Sequence, residues 1–145
     1  MIEQCAKLVW KATSAVTPAQ IPQLVNEVAK HGGVFLIYQG RYISVESATR
    51  HLKFMEGHLQ EASEHFSKHT QVSSETEQYI HRIRMTDAAR RAGRYFRQYV
   101  SDLDVAYHSP VWPQIPAFIE ADSELHSAWK SGYSMMESQL NRDSY

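Results

Sequence analysis

The spacing of apolar residues in this chain changes at Ser47, and that change orders everything else. Before it, Val34-Phe35-Leu36-Ile37-Tyr38 and Arg41-Tyr42-Ile43-Ser44-Val45 are two β-rich runs around Gln39-Gly40. A two-residue turn with glycine second is the pattern of a β-hairpin. After it, Leu52, Met55, Leu59, Ala62 and Phe66 fall three and four apart. That spacing predicts a helix over about 47–69, with a narrow apolar seam suited to packing on another helix.

Upstream of the hairpin, residues 4–12 mix β-branched and aromatic residues with lysines and read as one strand with a wet face. Thr17-Pro18 starts a helix, because proline at the first helical position lacks only an N–H that would have no partner there. Its apolar stripe is Ile21, Leu24, Val25 and Val28, and His31-Gly32-Gly33 ends it. Downstream, Ser74 with Glu77 three residues later is a capping box. It opens a helix carrying Ile80, Ile83, Ala88, Ala92, Tyr95, Phe96, Tyr99, Val100 and Leu103 to about residue 105. A turn punctuated by Pro110, Pro113 and Pro116 follows, with Val111, Trp112 and Ile115 as its apolar plug. One last helix has Phe118, Ile119, Leu125, Trp129, Tyr133 and Met136 on its apolar side. The expected architecture is α+β: a small N-terminal β-α-β-β sheet over residues 1–52, and about three helices packed on it over 53–145, in one continuous unit.

At 145 residues and 43% hydrophobic content the chain can bury a core without disulfides or metal. A net charge of −1 provides no global field to attract nucleic acid or an anionic membrane. The single cysteine, Cys5, beside Ala6 and Leu8, reads as a small buried hydrophobe. No apolar run approaches the roughly 18 residues of a membrane helix, and Lys7 and Lys11 interrupt anything like a signal peptide, so a cytoplasmic location is expected.

Four histidines, His51, His58, His65 and His69, fall on the first long helix. His65 and His69 are four apart, the spacing by which two imidazoles share a zinc, and Glu61 lies one turn earlier on the same face. Those three are the candidate metal ligands. Against them, His51, His58 and His65 recur every seven residues, about 10 Å apart along a helix, and so border the seam rather than converge. Solvated seam-edge histidines are the plainer reading. On the next helix, six arginines face one Asp87 over residues 79–100, a net of plus five. Arg82, Arg90, Arg94 and Arg97 make a candidate basic binding face that could follow a phosphate backbone. Residues 101–145, however, hold seven carboxylates against Lys130 and Arg142. Helix-to-helix pairing is therefore preferred to nucleic acid. No nucleophile elbow, phosphate loop or dinucleotide fingerprint is present, His108 near Asp104 is recommended by nothing but proximity, and no cofactor is expected. The aromatic set Trp112, Phe118, Trp129 and Tyr133 reads as core.

The strand-helix-strand-strand order, with Gly40-Arg41-Tyr42-Ile43-Ser44-Val45-Glu46-Ser47 and Thr17-Pro18-Ala19, resembles the N-terminal half of HPr, the histidine phosphocarrier of the bacterial sugar phosphotransferase system. The resemblance covers about residues 5–52. It implies a phosphoacceptor histidine just before the first helix, where this chain has Ser14-Ala15-Val16-Thr17. Valine has no lone pair to accept a phosphoryl group, so that chemistry is excluded at this position. Ser47 matches the serine that a kinase modifies in some members, against a plainer reading as a helix N-cap. The family also places a fourth strand between the first and second, where this sequence has helical periodicity. A three-stranded sheet, or an edge filled by a second copy, is expected in consequence. The chain is therefore expected to be a non-catalytic, HPr-like regulatory or interaction module, dimeric or bound to a protein partner, with the seam from Leu52 to Phe66 as its surface. A small enzyme using the histidine-rich helix and a nucleic-acid binder using the arginine helix are the alternatives.

Overall fold

The computed structural model describes residues 1–103 and 115–143. Its elements are β1 (Ile2–Ala6), β2 (Val9–Ala12), α1 (Ile21–Lys30), β3 (Phe35–Tyr38), β4 (Arg41–Ser44), α2 (Val45–Gln71), α3 (Glu75–Leu103), α4 (Ala117–Glu120) and α5 (Ser123–Asp143), with a 3-10 turn at Pro18–Gln20 ahead of α1. The fold is α+β, a four-stranded N-terminal sheet followed by helices. The described residues form two compact units, Met1–His51 with 98–103 and Leu52–Arg97 with 115–143.

In the first unit the strands lie in the order β1-β2-β3-β4. The β3–β4 hairpin turns at Gln39 (φ 51°) and Gly40 (φ 77°), the paired positive φ values of the turn whose twist matches the strands. The single strand expected over residues 4–12 is instead two antiparallel strands, β1 and β2, with Ala6 opposite Val9. The reversal uses Leu8 at φ 65°. Leucine rarely adopts that conformation, so no turn residue announced it. The correction reaches the sheet as a whole, because β1 fills the edge beside β2 that was expected to be open or completed by another chain. No strand lies between β2 and β3, which pair directly and in parallel. Cys5 is exposed on this outer strand rather than buried, because β1 packs against β2 alone and four of its five residues are exposed.

Between the parallel strands runs α1, and Ile21, Leu24, Val25 and Val28 are buried as the sequence stripe required. Gln20 Oε1 accepts the Thr17 N–H at 2.9 Å, which fastens the entry. Gly32 (φ 72°) ends the helix, and the Gly33 N–H donates to the Val28 carbonyl at 2.8 Å. Leu36, Tyr38 and Ile43 on the sheet, with Val45, Ala48, Tyr99, Val100 and Leu103, are the other buried side chains of this unit beside Ala12 and Val16.

In the second unit Ser74 caps α3 by accepting the Glu77 N–H on its hydroxyl at 3.4 Å. Of the predicted seam on α2, Met55 and Ala62 are buried, and Leu52, Leu59 and Phe66 are half-buried. On α3 the buried stripe is Met85, Ala88, Ala89, Ala92 and Phe96, while Ile80 and Ile83, expected inside, are 40% and 50% exposed. The expected single last helix breaks at Ala121-Asp122, where the Asp122 Oδ1 accepts the N–H groups of Glu124 and Leu125, both at 3.1 Å, and so starts α5. Small residues set the distance between α3 and α5. A Cβ on Gly132 would lie 1.9 Å from the Arg90 carbonyl oxygen, and one on Gly93 2.1 Å from that of Trp129. Phe96 packs against Trp129 and Tyr133 at ring separations of 5.5 and 5.9 Å, and Phe66 meets Phe118 at 5.3 Å; of the aromatics expected in the core Trp129 is buried, and Phe118 and Tyr133 are half-buried at its margin. Trp112, the proline turn at 109–113 and the His108–Asp104 pair lie outside the described residues.

Candidate functional site

The histidines of α2 are separated by their partners. His51 Nδ1 lies 2.5 Å from Asp102 Oδ2 in the first unit. Burial pushes the Asp102 carboxyl up, against the opposing pull of the His51 hydrogen bond and of the charges on His51 and Arg50. In the second unit His58 Nδ1 sits 3.4 Å from Glu61 Oε2, and its ring stacks on Tyr95 at 5.5 Å. His65 Nδ1 lies 2.9 Å from the Nδ1 of His81 on α3. Partial burial, then the charges of His81, Lys68 and Arg84, hold the His65 imidazole below its ordinary value of 6.5, with Glu61 pulling the other way. The trio Glu61, His65 and His69 therefore does not act together: Glu61 faces His58, and His65 faces His81. Among the described residues no three His, Cys, Asp or Glu side chains group as metal ligands. His81 and Asp102 were not singled out by sequence, because both partners come from another helix.

The candidate basic face is divided in the same way. Arg82 Nη1 pairs with Asp122 Oδ2 at 2.8 Å, and Arg97 Nε with Glu137 Oε2 at 3.4 Å. The Arg97 guanidinium also lies 5.8 Å from the centre of the Tyr133 ring. Arg90 and Arg91 share Asp87 on their own helix at 3.7 and 3.0 Å. Arg94 instead lines an open depression of about 340 Å³ with Met135, Ser138, Gln139 and Arg142. Burial raises the Asp122 carboxyl, but hydrogen bonds from Arg82 and the Leu125 and Glu124 N–H groups outweigh it and hold Asp122 below 3.8. The pairing of arginines with the acidic last segment is thus realised at Arg82 and Arg97.

Ser47 is not the N-cap of α2. The helix begins at Val45, and the Ser44 hydroxyl accepts the Ser47 N–H at 3.3 Å, which leaves Ser47 half-buried in the first turn. Val16, where the resemblance would place a phosphoacceptor, is 6% exposed and lines an open depression of about 650 Å³ with Glu3, Lys11, Thr13, Ser14, Tyr38 and Gln39.

The feature that sequence reasoning missed is the outer face of the sheet. The register aligns Glu3, Lys11, Ile37 and Tyr42 in one row across the four strands, and Val9, Phe35 and Ser44 in the next. Leu36, Tyr38 and Ile43, on the opposite face, are buried. On the outer face Tyr42 is 66% exposed and meets Phe35 edge-on at 5.8 Å, with Val9 and Ile37 half-buried beside them. The alternation along Phe35–Tyr38 was legible, but it could not signal exposure because both of its faces are apolar.

The class that these features define is an α+β chain whose sheet, among the described residues, is covered by a helix on one face. No family model, curated protein or solved structure matches it. Among the described residues no helix is long and apolar enough to cross a membrane.

Proposed function

We propose that this chain is a non-catalytic interaction module that associates with a second copy of itself through the outer face of its sheet. The observation that carries the reading is the state of the parallel pair β2–β3. Parallel strands are ordinarily covered on both faces. Here α1 packs along one side, while Val9, Phe35, Ile37 and Tyr42 form an apolar surface on the other. Apolar residues grouped on a surface, with aromatic anchors at the centre and charge at the rim, mark interaction sites. Glu3 on the edge strand β1 and Lys11 beside it on β2 carry charge of both signs in one row, so a two-fold axis can place each opposite its complement in a second copy. The seam from Leu52 to Phe66 is a weaker candidate, since Met55 and Ala62 are buried and Phe66 is engaged by Phe118.

Sedimentation equilibrium over a concentration series tests the reading. The wild-type chain should self-associate, and Tyr42→Lys should shift the equilibrium toward monomer at unchanged thermal stability. A monomer at every concentration up to about 1 mM, or association that Tyr42→Lys leaves untouched, would count against it.

A further inference from the structure

Helices α2 and α3 are joined by residues 72–74, and His65 and His81 face each other across that junction, each six residues from its own helix end. Their Nδ1 atoms are 2.9 Å apart and both side chains are half-buried, with ring centres at 5.2 Å. Two nitrogens at this separation share one proton: one donates its N–H and the other accepts on its lone pair. The same separation has a second chemical meaning. Imidazole nitrogens about 2.0–2.1 Å from one metal and at right angles to each other lie about 2.9 Å apart, whereas the tetrahedral angle would spread them to about 3.4 Å.

We propose that His65 and His81 form a binding site for a divalent cation with right-angle coordination, copper(II) or nickel(II), held by the two Nδ1 atoms. Square-planar and tetragonal geometry with nitrogen ligands is the preference of these two ions, and imidazole binds them well. Occupation moves the proton between the rings to the remote Nε2 of the donor ring and turns both rings so that their Nδ1 lone pairs leave the line of the hydrogen bond and converge on the ion. The Glu61 carboxylate favours a cation at this place, and Lys68 and Arg84 oppose it. Among the described residues no third His, Cys, Asp or Glu completes a group, so water takes the other positions. The site is distinct from the sheet surface and from the Glu61, His65, His69 trio, because its second ligand comes from α3.

The test uses the untagged full chain titrated with CuCl2 or NiCl2 alone. Proton NMR should show the ring signals of His65 and His81 broadening first, at the first equivalent of ion. Calorimetry should give binding about tenfold or more weaker for His81→Ala, with His69→Ala binding as the wild type does. Zinc should bind less tightly than copper. Broadening that begins at other histidines, or His81→Ala binding copper as well as the wild type, would overturn the site. So would an absence of binding. The NMR measurement needs no variant, so a misfolded His81→Ala cannot obscure the answer.

Discussion

Branched aliphatic side chains such as Ile21, Leu24, Leu36 and Ile43 fill the interior of the first unit, whereas in the second α3 and α5 approach until backbone meets backbone at Gly93 and Gly132. The second unit also buries large side chains such as Met85, Leu125 and Trp129, but adds a backbone-to-backbone approach between two helices. The difference extends to their surfaces. Among the described residues the first unit presents an apolar sheet face with Tyr42 and Phe35 exposed, and the second carries ion pairs from Arg82 and Arg97. A core built on bulk tolerates adjustment, because side chains can move; one built on backbone contact does not.

The largest effect should come from Gly132→Ala. The new methyl would meet the Arg90 carbonyl, which cannot move without its helix, and the expected loss is roughly 3 kcal/mol or more by urea unfolding. The matched change in the first unit, Gly33→Ala, brings a methyl to 2.3 Å from Val28 Cγ1 and 2.8 Å from Trp10. Those are side-chain atoms, so the cost should be smaller, about 1–2 kcal/mol. Equal losses at the two glycines would remove the distinction between the units.

Asp122→Ala comes next. It removes the α5 cap and the partner of Arg82 together, at an expected cost of about 1–2 kcal/mol. Because the Asp122 carboxyl is held below 3.8 in the fold, its contribution is present above that value and disappears as the pH falls through the lowered one. The stability gap between wild type and variant should therefore close in acid. Gly57→Ala on α2 has the opposite sign. A Cβ there meets nothing within 4 Å, so helix propensity alone decides, with a gain of about 0.5–1 kcal/mol.

The smallest effect concerns His65. Its folded value lies below the ordinary 6.5, so the unfolded chain binds the proton more readily. Wild-type stability should be full above about pH 6.5 and decline as the pH falls below it. His65→Gln should lack that decline, as seen by thermal unfolding at a series of pH values.

Much of the fold could be read from local chemistry. Gln39-Gly40 specified its hairpin, Ser74 its cap, and the stripe Ile21, Leu24, Val25 and Val28 its buried face, because each signal lies within one element. The misses have a common physical origin in context. The Leu8 turn uses a residue that turns seldom use, held there as the Leu8 carbonyl accepts the Val34 and Phe35 N–H groups at 2.7 and 3.2 Å. Burial of Met85 in place of Ile80 and Ile83 depends on which face α3 turns to its neighbours. The pairs Ala89 with Gly93 and Ala128 with Gly132, small residues four apart, were the available signal of close helix approach. The histidine row was visible as a row, but its meaning lay in Asp102 and His81 on another helix. The outer sheet face needed the register of all four strands before Val9, Phe35, Ile37 and Tyr42 became one surface.

NMR spectra of the wild-type chain over a concentration series test self-association through that surface most directly. The methyl and ring signals of Val9, Phe35, Ile37 and Tyr42 should shift together as the concentration rises, while those of Tyr79, Ile80 and Ile83 on α3 hold still. Shifts confined to the α3 residues, or spectra that do not change with concentration, would contradict it.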